Sequence, residues 1–315
     1  MTPSGLAVAA VQAAVVVAGA PLLVGLLRMV RARLEGRAGA GVTQPWRDLR
    51  KLCRKERIRP EHTSWVFTTT PLVLASTSLV VAAIIPFAST RSGLDEAGDL
   101  FAVVSLLLAG TVFLALAGLD PGTAFGGMGS SREMTIAALA EPTLLVAIFA
   151  LSVRAGSSNL AAIVAATLAQ PDQLASPGSL LAAGALAMVT LAEAGRLPVD
   201  NPATHLELTM IHEAMILEYA GPDLAVVEGA AHVRLAVLLA LLANLFVPWG
   251  IATSTRPAEV LLGAAATGTK VALLGVALAT FEVFVAKLRL FRVPELLAAS
   301  FVLAFLAVTA SFFLP

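Results

Sequence analysis

Eight apolar runs of roughly the length a helix needs to cross a bilayer, about 20 residues, constrain this chain more than any motif in it. They cover residues 6–27, 66–88, 100–119, 134–153, 173–192, 235–255, 260–281 and 296–314. The run at 173–192 carries a proline and a glycine near its start, and 160–168 is too short to cross, so a brief surface helix is expected there. With 58% hydrophobic and only 13% charged residues, against roughly 25% charged in a soluble domain, the chain reads as one all-α polytopic membrane domain, 1–315. The first run exceeds a signal-peptide core and follows no basic segment, so it is expected to stay in the mature protein.

Charge assigns the sides. Eleven of the 21 Lys and Arg residues fall between Arg28 and Arg59, and such residues stay on the cytoplasmic side of short loops. Counting alternately from that loop, Arg132, Arg196, Lys287, Arg289 and Arg292 fall inside, and Asp95, Glu96, Asp99, Asp172 and Glu259 outside. The expected topology is eight spans in the inner membrane with both termini outside, a basic cytoplasmic loop at 31–63, and a polar cytoplasmic loop and helix at 195–230 between the fifth and sixth spans.

Several chemistries are excluded. A lone Cys53 cannot form an internal disulfide, supply the thiolates of an iron–sulfur cluster or make a paired-cysteine zinc site. No glycine-rich phosphate loop, G-x-S-x-G or H-E-x-x-H occurs. No internal repeat of the kind that builds many transporters is visible. No catalytic residue, bound metal or nucleic-acid partner is expected of this chain.

What remains is charge in costly places. In the basic loop, a glycine-rich turn and Gln44-Pro45-Trp46 precede a helical segment, which suggests a shaped surface rather than a bare topology signal; Arg37, Gln44, Arg47, Asp48 and Lys51 are the candidate docking residues. Glu141 lies about two turns into the fourth span, where a charge costs about 2.5 kcal/mol or more, so it either carries function or pairs with a buried cation. Glu193 ends the fifth span within a turn of Arg196, and the two can pair. Pro198 breaks the helix, and Asp200 or Asn201 can cap another running from Pro202 to Tyr219. On that helix Glu207 and Glu218 share one side, His205 and His212 another, and Glu213 a third, a pattern suited to a helix packed around a hydrated cavity. Glu228 opens the sixth span, and Lys270 and Glu282 lie in the seventh, too far apart to pair with each other. Together these groups supply a buried acid and base relay, since burial and like-charged neighbours let carboxylates exchange protons near neutral pH. Asn244 either joins that path or bonds a neighbouring helix.

The Lys51-Leu-x-x-Lys-Glu56 segment, the Arg132 to Glu141 spacing and Glu193-x-x-Arg-x-Pro-x-Asp200 followed by Glu207-Leu resemble the membrane subunit of respiratory complex I that joins the hydrophilic arm to the pumping arm. Gly39-Ala-Gly-Val-x-Gln-Pro-Trp-Arg-Asp-Leu49, Gly118-Leu-Asp-Pro-Gly122 and the 202–219 segment are most similar to the version in group-four nickel–iron hydrogenases, of the formate hydrogenlyase and hydrogenase-4 type. The complex I subunit typically differs at Val199, Ala203, His205 and Leu139-Ala140, positions that help form its quinone chamber, while the carboxylate framework is kept. The resemblance implies a non-catalytic subunit that anchors a redox module and helps couple electron transfer to proton or sodium movement. It implies a nickel–iron centre and iron–sulfur clusters on partners: large and small soluble hydrogenase-like subunits, an iron–sulfur subunit and antiporter-like membrane subunits. A quinone-linked complex I role and a stand-alone ion-coupled permease using Lys270 are the alternatives.

Overall fold

The computed structural model describes residues 3–200 and 210–313, and among these the chain forms eleven α-helices and no strand beyond isolated bridges. They are α1 Pro3–Leu34, α2 Gln44–Cys53, α3 Trp65–Ile84, α4 Leu100–Leu119, α5 Ala124–Ala155, α6 Leu160–Ala169, α7 Pro177–Glu193, α8 His212–Ile216, α9 Gly221–Phe246, α10 Pro257–Phe284 and α11 Val293–Phe313. Seven are long and apolar enough to cross a membrane, and α7, at 17 residues, is the short member that follows the fifth apolar run. Leu262, Phe284 and Phe313 are at least 70% exposed, a surface suited to hydrocarbon rather than water.

The helix starts follow from capping side chains that accept orphan backbone N–H groups. Asp99 caps α4 through Phe101 N, Thr123 caps α5 through Gly126 N, and Asn159 caps α6 through Ala162 N. Asp120, just beyond α4, accepts from Ser64 N at 2.7 Å and Phe67 N at 3.3 Å and so fixes where α3 begins.

α9 is the axle of the bundle, packed by α1, α2, α3, α6, α7 and α10, while α11 covers α5 and α7. Its first turns extend past the apolar run expected at 235–255; the helix begins at Gly221 because Pro222 and Asp223 suit an N-terminus. α5 likewise starts early, at the Thr123 cap, so Arg132 and Glu133, just ahead of the apolar run expected at 134–153, lie inside it. Residues 160–168 do form a helix, but Leu160, Ile163 and Val164 are buried, so it is wedged into the bundle rather than lying on the surface. Within 210–219 the long polar helix is interrupted: Met210 is non-helical and α8 spans only His212–Ile216, while 201–209 lie outside the described residues.

At one end of the bundle irregular backbone must satisfy itself, because lipid cannot. Ala252 N donates to Ala88 O and Thr90 N to Ala252 O, pairing the segments after α3 and α9. Fully buried Gln12 of α1 donates to Ile85 O at 3.1 Å, and Asn244 of α9 donates to Pro86 O at 2.7 Å. Asn244 therefore holds a neighbouring segment. The acidic segments around Asp95, Asp99 and Glu259 gather at this end together with Arg91, Arg154 and Arg256, so the charge separation between the two ends is less complete than loop counting suggests.

Candidate functional site

The basic loop folds back onto α1. Val42 O would lie 1.9 Å from a Cβ at position 25, so only Gly25 admits it. Trp46 donates its indole N–H to Ala18 O at 3.2 Å. α2 buries Pro45 and Leu49, four apart on one face, and packs on α1 and α9. Of the candidate docking residues, Gln44 donates to Asp48 at 2.9 Å, Asp48 pairs with Arg28 at 3.7 Å, and Arg37 pairs with Glu35. These three brace the loop. Arg47 and Lys51 remain exposed on one face of α2, paired with no acid among the described residues. Glu35 is held below the ordinary carboxylate range by its bonds to Arg31 and Arg37. The far end of the loop is clipped to α9, where Asp223 receives Arg57 at 3.1 Å and Arg59 at 3.4 Å. Gly221, at φ +58°, lets Glu56 O approach that helix start.

Behind this loop lies a cavity of about 510 Å³ between α1, α3, α4, α5, α7, α8, α9 and α10. Its charged lining joins Arg28, Arg31 and Arg196 to Glu133, Glu193, Glu213, Glu228 and Glu282, with His212, His232 and Arg234 among them. The Glu193–Arg196 pair expected from spacing does not form. Both side chains leave the chain at the end of α7, but each meets a helix brought in from elsewhere. Glu193 pairs with Arg234 of α9, and Arg196 reaches Glu282 of α10 at 3.6 Å, where Arg31 also approaches at 3.9 Å. Burial lowers the Arg196 guanidinium below its ordinary value.

Arg234 is the hub. Its Nη2 serves Glu141 Oε1 at 3.5 Å and also Glu193, while Nη1 donates to Leu107 O of α4 at 3.1 Å. The buried-cation reading of Glu141 is thus realised, on a residue one position before the apolar run expected at 235–255. Beyond the Leu197-Pro198 turn, a cis peptide, Asp200 accepts from Lys287 Nζ at 2.7 Å and from His212 N at 3.3 Å. Burial holds the His212 imidazole below its ordinary range.

Not every candidate joins the cavity. Glu141 sits behind Arg234, outside the lining, and Glu218 is half-buried elsewhere. Lys270 lies apart, donating to Asn244 Oδ1 at 2.6 Å and to Val247 O at 2.8 Å, where it caps the C-terminal end of α9. Glu207 and His205 lie outside the described residues. No group of three His, Cys, Asp or Glu side chains among the described residues is placed to hold a metal.

Nearly the whole chain, residues 6–312, matches the family model described as NADH dehydrogenase. The chain belongs to the NADH dehydrogenase family. Formate hydrogenlyase subunit 4 of Escherichia coli (strain K12) is 34% identical over 94% of this chain and 95% of its own length. Hydrogenase-4 component C of the same organism is 33% identical over 94% and 92%. NADH-quinone oxidoreductase subunit 8 of Rhodothermus marinus is 30% identical over 66% and 61%. A chain in the structure of the membrane-bound sulfane sulfur reductase, an archaeal respiratory membrane complex, shares the fold with a TM-score of 0.79 at 18% identity, covering 98% of this chain and 99% of that one.

In this member of the NADH dehydrogenase family the residues of the site that the sequence did not single out include Glu133, His232 and, at its centre, Arg234. A signal existed: it is the one charge in an otherwise apolar α9 stretch after Glu228, and an intramembrane charge is a functional candidate by default. The apolar run is bounded at Leu235, one position past the arginine, and of the charges at the opening of the sixth span only Glu228 is singled out.

Proposed function

We propose that this chain is the membrane anchor and coupling subunit of a multisubunit redox complex of the hydrogenase or formate hydrogenlyase type. In this reading the exposed Arg47–Lys51 face of α2 receives a soluble electron-transfer module, and positive charge there sets encounter and orientation. The nickel–iron centre and iron–sulfur clusters reside on that module's subunits, and antiporter-like subunits adjoin in the inner membrane. The basic end faces the cytoplasm, the 31–63 and 195–230 segments lie on that side, and both termini lie outside. The relay runs through the cavity acids Glu193, Glu213, Glu228 and Glu282, with Arg196, Pro198 and Asp200 shaping its turn, and Glu141 as its inner member; Glu207, Glu218 and Lys270 are assigned to the same relay. The ion moved is a proton or sodium.

The observation that carries this reading is the buried triad of Glu141, Glu193 and Arg234, which joins α4, α5, α7 and α9 beside a charged cavity that Arg37 of the basic loop also lines. Replacing Glu141, Glu193 or Glu207 by Gln keeps size and removes the titratable proton. In vesicles holding the assembled complex, each variant is expected to lower ion uptake per electron transferred. Unchanged uptake per electron in all three returns these carboxylates to packing. Copurifying subunits identify the complex: one with two Cys-x-x-Cys pairs marks the hydrogenase type, its absence the quinone-linked alternative.

A further inference from the structure

The triad has two acids and one cation, so although Nη2 reaches both carboxylates its single positive charge neutralises only one of them. Glu141 and Glu193 reach the same nitrogen, Nη2, so neither receives the two-nitrogen fork that makes an arginine–carboxylate pair strong. Nη1 is committed to the Leu107 carbonyl, and Nε is buried without a partner among the described residues. Other cations nearby are spoken for: Arg196 and Arg31 by Glu282, Arg132 by Met210 O. With both acids ionised, the triad would hold a net negative charge between buried helix faces. An uncompensated buried charge costs far more than a neutral group in the same place.

We propose that Glu141, Glu193 and Arg234 form a single-proton binding site, in which the guanidinium neutralises one carboxylate and the other carries the proton. The resting proton lies on Glu141. That residue is outside the cavity lining, is 4% exposed, touches Arg234 through one oxygen only, and has its other oxygen, Oε2, buried with no partner among the described residues. Glu193 does line the cavity and takes the guanidinium. The remaining acids of these elements line the cavity: Glu213 of α8, Glu228 of α9 and Glu133 of α5, the last close enough for its charge to act on Glu193 and Arg234. When the proton passes from Glu141 to Glu193, Arg234 turns its charge from Glu193 to Glu141, so the two acids hold one proton alternately. Arg234 is a positioning residue here, the switch between two pairings.

The use of this site in ion movement rests on the coupling reading above; its existence does not, because infrared spectroscopy reports the proton and vesicle uptake reports transport. The probe is the carboxylic C=O band of the complex purified from membranes, identified by its shift in D₂O and read as wild type minus variant. Glu141→Gln is expected to abolish one band. Glu193→Gln is expected to abolish it too, since one cation then faces one acid and no proton is needed. Arg234→Lys should retain one band, and Arg234→Gln, if it assembles, should raise the intensity about twofold as both acids become neutral. A band that survives in Glu193→Gln overturns the shared site, because Glu141 would then be protonated by its surroundings alone. So does a wild type with no band lost in Glu141→Gln.

Discussion

Asn244 carries a load at the residue scale that no charge announces. It donates to Pro86 O and accepts from Lys270, so Asn244→Leu leaves a buried carbonyl and a half-buried ammonium short of partners. An unsatisfied buried group costs about 1–3 kcal/mol, and the variant is expected to unfold at clearly lower temperature in detergent while the triad, ten residues away along α9, is undisturbed. His212 gives a pH signature. Its folded value lies below the ordinary one of about 6.5, so the unfolded chain binds the proton first. Stability from this group is therefore complete above about pH 6.5 and falls as pH drops below it. Thermal unfolding across pH should show a shallower acid limb in His212→Gln; an identical limb would show that His212 does not contribute.

At the scale of elements, the proposed function gives the two faces of α2 separate tasks. Pro45 and Leu49 hold it to the bundle, and Arg47 and Lys51 look outward. Reversing both to Glu should release the soluble partners from the membrane at moderate salt while this subunit stays inserted, read by comparing membrane and supernatant fractions. Retention of the partners would reduce the basic face to a topology signal. The loop's far end tests the opposite property, fixed shape. Gly221→Val adds a Cβ that would sit 2.4 Å from Glu56 O at a positive φ, so it should loosen the 54–60 segment from α9, seen as faster proteolysis there.

For the molecule as a whole, sidedness is the decisive property, and the lone Cys53, exposed at the end of α2, reports it. In membranes stripped of peripheral subunits, an impermeant thiol reagent should label Cys53 in inverted vesicles and spare it in right-side-out ones. The reverse result would turn the topology over and place the cavity mouth on the outer side.

The apolar runs and their punctuation determined the membrane class, every long helix and the α2 segment, because hydropathy and Pro/Gly breaks act locally, within one or two turns. The acids of the site, Glu133 excepted, were visible for the same reason: a carboxylate beside an apolar run is costly wherever the chain folds. Their partners were not. Glu193 is three residues from Arg196 and yet meets Arg234, forty-one positions on, while Arg196 meets Glu282 and Asp200 meets Lys287. Ion pairing is decided by which helix faces come together, and the arrangement that brings Arg234 of α9 to α4, α5 and α7 is a property of the assembled bundle that no local spacing encodes.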